Sequence, residues 1–231
     1  GPRLLRMSGP ARTTLFSWTR ARVRVSLRPT KDDLRRQCVM LRRYAKGDRM
    51  LIHYNGHGVP RPTLGGEIWV FDKGYTQYIP VSLFDVQSWT DGPMIFVLDC
   101  SAAARAIYWY ERFNELRKEN NEAISPQLED YIILAACGAH ETLPTDPKLP
   151  ADLFTSCLTT PIQMALRWHC MRSYLHRDNE AMLQLVSRIP GKIGKRETPL
   201  GELNWIFTAI TDSIAYSVLP QDTFLTLFRQ D

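Results

Sequence analysis

His57 and Cys100 are the residues of this chain whose types are best suited to chemistry. A thiol is a strong nucleophile only after it loses its proton, and a nearby imidazole is the usual base. Acyl transfer also needs N–H donors for the developing oxyanion, and the backbone amides of Gly58 and Cys100 are candidates because glycine allows close approach. Asp99 could orient the imidazole, or it could point away from it. The pair indicates a cysteine-protease-like dyad if the fold brings the two side chains together.

Each member of the pair follows a short apolar run that is typical of a buried β-strand. Residues 49–54 lead to His57, and residues 93–98 lead to Cys100. A further apolar run at 131–136, with helical segments between the runs, predicts an α/β fold with a mainly parallel sheet covered by helices. Because ligands gather at the carboxyl ends of parallel strands, we expect the two residues to share one edge of the sheet.

Capping residues mark the starts of several helices. A hydroxyl residue followed three positions later by an acidic residue satisfies the first free N–H groups of a helix, and proline is pre-set for the first helical position. The loop that follows His57 is rich in glycine and proline, and residues 67–71 begin a hairpin. Helices are predicted to begin after Thr30, Ser82, Thr160 and Thr198.

The composition indicates one large domain, or one domain with an extension, with a sizeable core. The chain has 231 residues, of which 44% are hydrophobic, and no apolar run approaches the roughly 20 residues that cross a bilayer. The five cysteines lack a C-x-x-C pair, so we expect reduced thiols without a disulfide framework or a zinc ribbon. We expect no metal and no cofactor. Trp69, Trp168 and Trp205 are expected to be core residues.

Positive charge is concentrated at the start of the chain. Residues 1–49 carry twelve Arg and two Lys against three Asp, a net charge of +11 in a chain whose total is +5. Residues 1–21 contain no apolar run comparable to the later strands, so we expect no strand there and interpret them as a solvated or artefactual leader. A targeting segment and an arm that binds nucleic acid or anionic lipid are the alternatives. If residues 1–21 are only such a leader, nucleic acid is not an expected partner.

Seven segments are distinctive enough to point to a family. The longest are YNGHGVPRPT at 54–63, LPADLFTSCLTTP at 149–161 and RETPLGELNWIFTAITD at 196–212, and the shorter ones lie at 66–71, 75–80, 99–101 and 165–168. In sequence and in order they resemble the N-terminal conserved region of the Raptor family. The resemblance covers residues 22–231, whereas residues 1–21 match nothing in that region.

The resemblance implies a caspase-like three-layer sandwich, with a mainly parallel sheet flanked by helices and a helical C-terminal part. The family's caspase-like His and Cys fall on His57 and Cys100, without an established proteolytic role. It further implies a scaffold subunit of the target-of-rapamycin (TOR) kinase complex, with that kinase and substrates carrying a short signalling motif as partners. We expect a domain at 22–231 that is truncated at both ends. The protein is expected to be soluble and cytoplasmic, with recruitment to a lysosomal or vacuolar surface.

Two functions stay open at this point. The first is a non-catalytic scaffold that recruits kinase substrates, and the second is an active endopeptidase with Cys100 as nucleophile and His57 as base. Cys100 could also belong to a vestigial or peptide-binding pocket, or be a buried thiol that only packs. Arg61, which lies between two prolines, and Lys195 and Arg196 in a second basic loop are candidates for binding an acidic peptide. Arg61 could equally be an ordinary surface cation near its neighbours' carboxylates.

Overall fold

A parallel sheet covered by helices forms most of the first of two compact units, residues 1–156. The structure, a computed structural model, describes residues 3–8, 23–120, 131–144, 146–149, 152–172 and 179–228. In chain order the elements are β1 (Arg3–Ser8), β2 (Val23–Leu27), α1 (Lys31–Ala45), β3 (Met50–Asn55), β4 (Glu67–Phe71), β5 (Tyr78–Ser82), α2 (Leu83–Thr90), β6 (Met94–Asp99), α3 (Ala104–Glu119) and β7 (Tyr131–Ala135).

The described strands of the sheet follow the order β2-β1-β3-β6-β7, and all neighbours run parallel. β3 and β6 are buried along almost their whole length, which explains why both read as continuous apolar runs. α1 packs on β1 and β3, α3 packs on β7, and α2 packs against both helices. β4 and β5 form the predicted separate hairpin. The predicted α/β fold with a mainly parallel sheet is confirmed.

The segment before the first helix contains a strand, contrary to the expectation from sequence. β1 pairs with β2 on one side and with β3 on the other, so that Leu4 lies opposite both Val23 and Leu51. Its backbone N–H and C=O groups therefore form hydrogen bonds to strands on both sides. This pairing stabilises a strand although the local sequence RLLRMS is only a weak strand signal. Interpreting residues 1–21 as nothing more than a leader is wrong for Arg3–Ser8, while the domain boundary at residue 22 stays a prediction.

The capping residues begin α1 and α2 as predicted. Thr30 and Asp33 form a complete capping box at α1, because the Thr30 hydroxyl accepts a hydrogen bond from the Asp33 N–H at 3.1 Å and the Asp33 carboxylate accepts one from the Thr30 N–H. The hydroxyl of Ser82 accepts from the Phe84 N–H at 3.2 Å. These local bonds fix where the helices start, and through them where the strands before and after must lie.

One guanidinium group connects three elements at the amino ends of β3 and β6. Arg42, in the last turn of α1, donates to the backbone carbonyls of Asp48, Thr90 and Pro93. These carbonyls precede β3, end α2 and precede β6. A planar group with five N–H donors can serve three acceptors at once, which a lysine ammonium does with poorer geometry. Arg42 thus holds the end of the sheet that lies opposite the candidate site.

The second compact unit is residues 157–231, and the elements described in it are helices. Thr198 begins its longest helix as predicted, because its hydroxyl accepts from the Gly201 N–H at 3.2 Å. Within the described residues, no helix combines the length and the apolar content needed to span a membrane. The helices are α4 (Leu153–Thr159), which crosses the boundary between the units, then α5 (Pro161–Arg172), α6 (Asn179–Ser187), α7 (Pro199–Val218) and α8 (Gln221–Phe228).

Two tryptophans of this unit are not core residues. Trp168 and Trp205 are each 56% exposed, so the expectation that they are buried is wrong. On α7, Ile210 and Ile214 are exposed as well. The helical spacing of apolar residues correctly predicted a helix, but such spacing reports an apolar face and does not report what covers that face.

Candidate functional site

The ends of β3 and β6 are neighbours, as predicted. The two strands pair in parallel with Asn55 opposite Asp99, and the N–H of Gly56 continues the ladder by donating to the Asp99 carbonyl at 2.9 Å. His57 follows one strand end by two residues, and Cys100 follows the other by one. The parallel sheet therefore brings the two candidate residues to one edge although they are far apart in sequence.

Glycine at position 56 allows this close approach. A Cβ atom on Gly56 would lie 2.7 Å from the Cβ of Cys100 and 2.6 Å from Cε1 of Tyr54. Carbon atoms without a bond between them prefer separations of about 3.5–4.0 Å, so neither contact could be accepted without movement. The glycine in the segment Asn55-Gly56-His57 is therefore required by the distance between the strand ends.

The imidazole of His57 faces a carboxylate that the sequence analysis did not assign. His57 Nδ1 lies 3.0 Å from Asp152 Oδ1, and the His57 backbone N–H donates to the Asn55 side chain at 3.2 Å. Asp152 immediately precedes α4, and its carbonyl accepts the first helical hydrogen bond from the Ser156 N–H. An acidic residue just before a helical run was the available signal, but it indicated a helix cap and gave no information about His57.

Asp99 forms no hydrogen bond with His57 among the described residues. Its side chain is 0% exposed, and its Oδ2 accepts a hydrogen bond from the Thr155 hydroxyl on α4. Oδ1 has no hydrogen-bond partner in the part of the chain that the structure describes. Burial raises the pKa of this carboxyl, and the nearby Asp152 raises it further, while the Thr155 bond opposes the shift. Two contacts, Asp152 to His57 and Thr155 to Asp99, thus fix the first turn of α4 to the strand ends.

Cys100 is a buried thiol. It is 1% exposed, and burial, with smaller effects from Cys137 and Asp99, raises its pKa to about 12. No hydrogen bond joins its sulfur to the His57 ring, and both residues belong to the described part of the chain. The Cys137 thiol instead donates to the Cys100 carbonyl at 3.4 Å. The fold brings the two candidate residues to one edge, but this structure does not couple them as nucleophile and base.

Gly58, the second proposed oxyanion donor, lies in an exposed part of the loop with a φ angle of +80°. That conformation favours glycine. Within the described residues, no cluster of three or more His, Cys, Asp or Glu is arranged to hold a metal ion.

Arginine side chains join the loop after His57 to the loop after β7. Arg61 donates to the Thr142 hydroxyl at 2.7 Å, and Arg105 donates to the carbonyls of Ala139 and Pro62 at 2.8 and 3.1 Å. Arg61 is exposed, so its other N–H groups can reach a ligand. Trp69, expected in the core, is half-buried and donates to the Arg61 carbonyl at 2.8 Å. The position of Arg61 is thus fixed both at its backbone and at its guanidinium.

The second basic loop lies in the helical unit. The guanidinium of Arg196 stacks over the Trp205 ring at 4.6 Å and lies 3.5 Å from Glu202. Lys195 is exposed, and its carbonyl accepts from the Thr198 hydroxyl at 2.7 Å. The loop therefore presents cations beside an exposed aromatic ring, held at the start of α7.

Comparisons with known proteins agree with one another. A family model described as the Raptor N-terminal CASPase like domain matches residues 13–110. Regulatory-associated protein of TOR 1 from Arabidopsis thaliana is 51% identical over 100% of this chain and 17% of its own length. Target of rapamycin complex 1 subunit mip1 from Schizosaccharomyces pombe is 52% identical over 92% of this chain and 17% of its own length. The crystal structure of Chaetomium thermophilum Raptor matches with a TM-score of 0.81 and 50% identity, over 93% of this chain and 19% of that chain.

The parallel sheet flanked by helices, with a histidine and a cysteine after neighbouring strands, defines a caspase-like α/β domain. The matches in sequence and structure confirm the resemblance stated above: this chain belongs to the family of Raptor N-terminal caspase-like domains. The chain spans less than a fifth of the length of these curated relatives.

Proposed function

We propose that the chain is the caspase-like part of a regulatory subunit of the TOR kinase complex, and that it recruits kinase substrates without cutting them. Relatives that share about half of its residues are named as a regulatory-associated protein of TOR and as TOR complex 1 subunits. We further propose a cytoplasmic location with recruitment to a lysosomal or vacuolar surface, which imaging of the tagged full-length protein would test. A fold alone does not carry a reaction, so the argument against proteolysis rests on the site.

The environment of Cys100 is the observation that carries the non-proteolytic part of the proposal. A working cysteine nucleophile is accessible to substrate and is held largely as thiolate by a base or a positive environment. Cys100 is 1% exposed, and its pKa is raised to about 12. At neutral pH only on the order of one thiol in 10⁵ would be ionised, which leaves almost no nucleophile.

An active endopeptidase is the second candidate, and one contact favours it. His57 turns Nδ1 toward Asp152, which leaves Nε2 available for a thiol. A base held by a carboxylate in this way is the arrangement of many hydrolases. This candidate requires Cys100 to become exposed beside Nε2. Peptide cleavage by the purified protein that both Cys100→Ala and His57→Ala abolish would establish it.

Substrate recruitment is supported by where the exposed cations lie. Arg61 is exposed in the loop after β3, and Lys195 precedes Arg196, whose guanidinium stacks over the exposed ring of Trp205. Guanidinium groups bind carboxylates through paired hydrogen bonds, and an aromatic surface binds an apolar side chain next to them. A short peptide that combines acidic and aromatic residues has the chemistry to bind the second basic loop.

The test is a kinase assay on the assembled full-length complex. Lys195→Glu/Arg196→Glu should raise KM for a substrate that carries an acidic-aromatic motif by at least about tenfold, which is about 1.4 kcal/mol of binding, and should leave kcat unchanged. Arg172→Glu/Arg188→Glu, which reverses two exposed cations of the same unit, is the matched control and should change neither constant. An unchanged KM in the double variant would remove the recruitment assignment for this loop.

A further inference from the structure

The exposed face of α1 carries positive charge that the described residues neutralise only in part. Leu34, Cys38 and Leu41 bury the opposite face, so the helix is fixed in place on the sheet. The exposed cations of this face are Arg35, Arg36, Arg43 and Lys46.

The ion pairs of these four cations show which positive charges stay unpaired among the described residues. Arg36 forms an ion pair with Asp33. Arg35, Arg43 and Lys46 have no ion pair with any residue that the structure describes. The negative end of the helix dipole explains cations in the last turn, but it does not extend to Arg35 near the start of the helix.

Apolar side chains lie between the cations. Val39 and Met40 are half-buried, and Tyr44 is exposed. A hollow of about 890 Å³ lies against this face, lined by Asp32, Arg35, Arg36, Val39, Met40, Arg43, Tyr44 and Lys46. In helical projection Arg36 and Arg43 form one row and Arg35 and Lys46 another, with Val39 between the rows and Met40 on the other side of Arg36 and Arg43. Such a surface suits a partner whose acidic residues lie beside an apolar stripe.

We propose that this surface, called the α1 surface, docks an acidic amphipathic helix of a partner protein. The rows set the spacing, because Arg36 and Arg43 are seven residues apart and therefore about 10.5 Å apart along the axis. Carboxylates at positions i and i+7 of a helix that lies along α1 would meet both. A membrane fits less well, because Val39 and Met40 are recessed and the strongly apolar face of α1 is already buried. The proposal does not depend on substrate recruitment, since the α1 surface shares no residue with the basic loops.

The test uses the full-length protein and a fluorescein-labelled helical peptide of about 15 residues, with Leu along one stripe and Glu at i and i+7 beside it. Arg36→Gln/Arg43→Gln should weaken binding at least about tenfold, because it removes the two charge-assisted contacts to the peptide carboxylates. Arg112→Gln/Arg188→Gln removes the same charge from exposed positions elsewhere and should leave the affinity within about twofold. Circular dichroism of both variants confirms that the fold is kept.

A second comparison separates docking from simple charge attraction. High salt screens the charge contacts, so the apolar contact then contributes a larger share of the binding free energy. Val39→Ser/Met40→Gln should therefore weaken binding by a larger factor in high salt than in low salt. The proposal is overturned if both arginine doubles lose affinity equally, or if a peptide with Lys in place of Glu binds as well. It is also overturned if the protein binds vesicles containing phosphatidylserine through Arg36 and Arg43 but does not bind the acidic peptide.

Discussion

Gly56→Ala tests directly whether the two strand ends are as close as the structure places them. The added Cβ would lie 2.7 Å from the Cys100 Cβ and 2.6 Å from Tyr54 Cε1. Restoring ordinary contact needs shifts of about 1 Å in two directions. The Tyr54 ring resists, because its hydroxyl bonds to both the carbonyl and the N–H of Trp69, and the Cys100 Cβ is attached to the backbone. Overpacking of this kind costs about 1–3 kcal/mol, so we expect a loss of about 2 kcal/mol in the free energy of unfolding.

A double-mutant cycle assigns that cost to the contact itself. Cys100→Gly removes one of the two colliding atoms, so the cost of Gly56→Ala should fall by about half, to about 1 kcal/mol, in that background. Cys100→Ser keeps the Cβ and is the matched control, in which the full cost should persist. Urea denaturation followed by fluorescence, with equal m values across the set, measures all six proteins. If Gly56→Ala costs the same in the Cys100→Gly background as in the Cys100→Ser background, the proximity of the two strand ends is refuted.

Three further predictions concern Asp99, the cysteine thiols and Arg42. Because the pKa of Asp99 is raised in the folded state, its carboxyl binds a proton more tightly when folded, and the free energy of unfolding should fall as pH rises above about 4. Asp99→Asn keeps an acceptor for Thr155 and should flatten that slope in denaturation series at several pH values; an unchanged slope would contradict the assigned shift. Iodoacetamide at neutral pH should modify the exposed Cys157 while leaving Cys100 unmodified in the folded protein, as read by mass spectrometry, and rapid labelling of Cys100 would favour the endopeptidase. Arg42→Lys should lower the free energy of unfolding by about 1.5–3 kcal/mol, because one ammonium cannot serve the three carbonyls as well; a stability equal to wild type would show that the guanidinium bonds contribute nothing net.

Local signals in the sequence were sufficient wherever the physical cause is local. Helix starts are an example: Thr30 acts with Asp33, and Thr198 acts with Pro199. The residues of each pair are at most three positions apart, so a short stretch of sequence is enough to predict the helix start. The buried runs before His57 and Cys100 predicted β3 and β6 and their shared edge for a similar reason. Strands buried on both faces read as continuous apolar runs.

The parts that sequence did not predict have causes elsewhere in the chain. β1 is a strand because two other strands pair with it, and no property of RLLRMS alone reports those partners. Asp152 meets His57 only because the sheet edge and the start of α4 come together in space. Ile210 and Ile214 lie on the apolar face of α7 and are exposed, and spacing on one helix cannot show whether another element covers that face. The adjacency of Asp99 and Thr155 has the same long-range origin.

The claim that this domain belongs to a TOR kinase complex and recruits substrates without cutting them has one direct test. The full-length protein is purified from its own cells under mild conditions, and the preparation is analysed both for co-purifying proteins and for peptide cleavage. We predict that a TOR-type kinase is recovered with it in constant proportion and that no cleavage depends on Cys100. Recovery of the protein without a kinase, together with peptide cleavage that Cys100→Ala abolishes, would contradict this account.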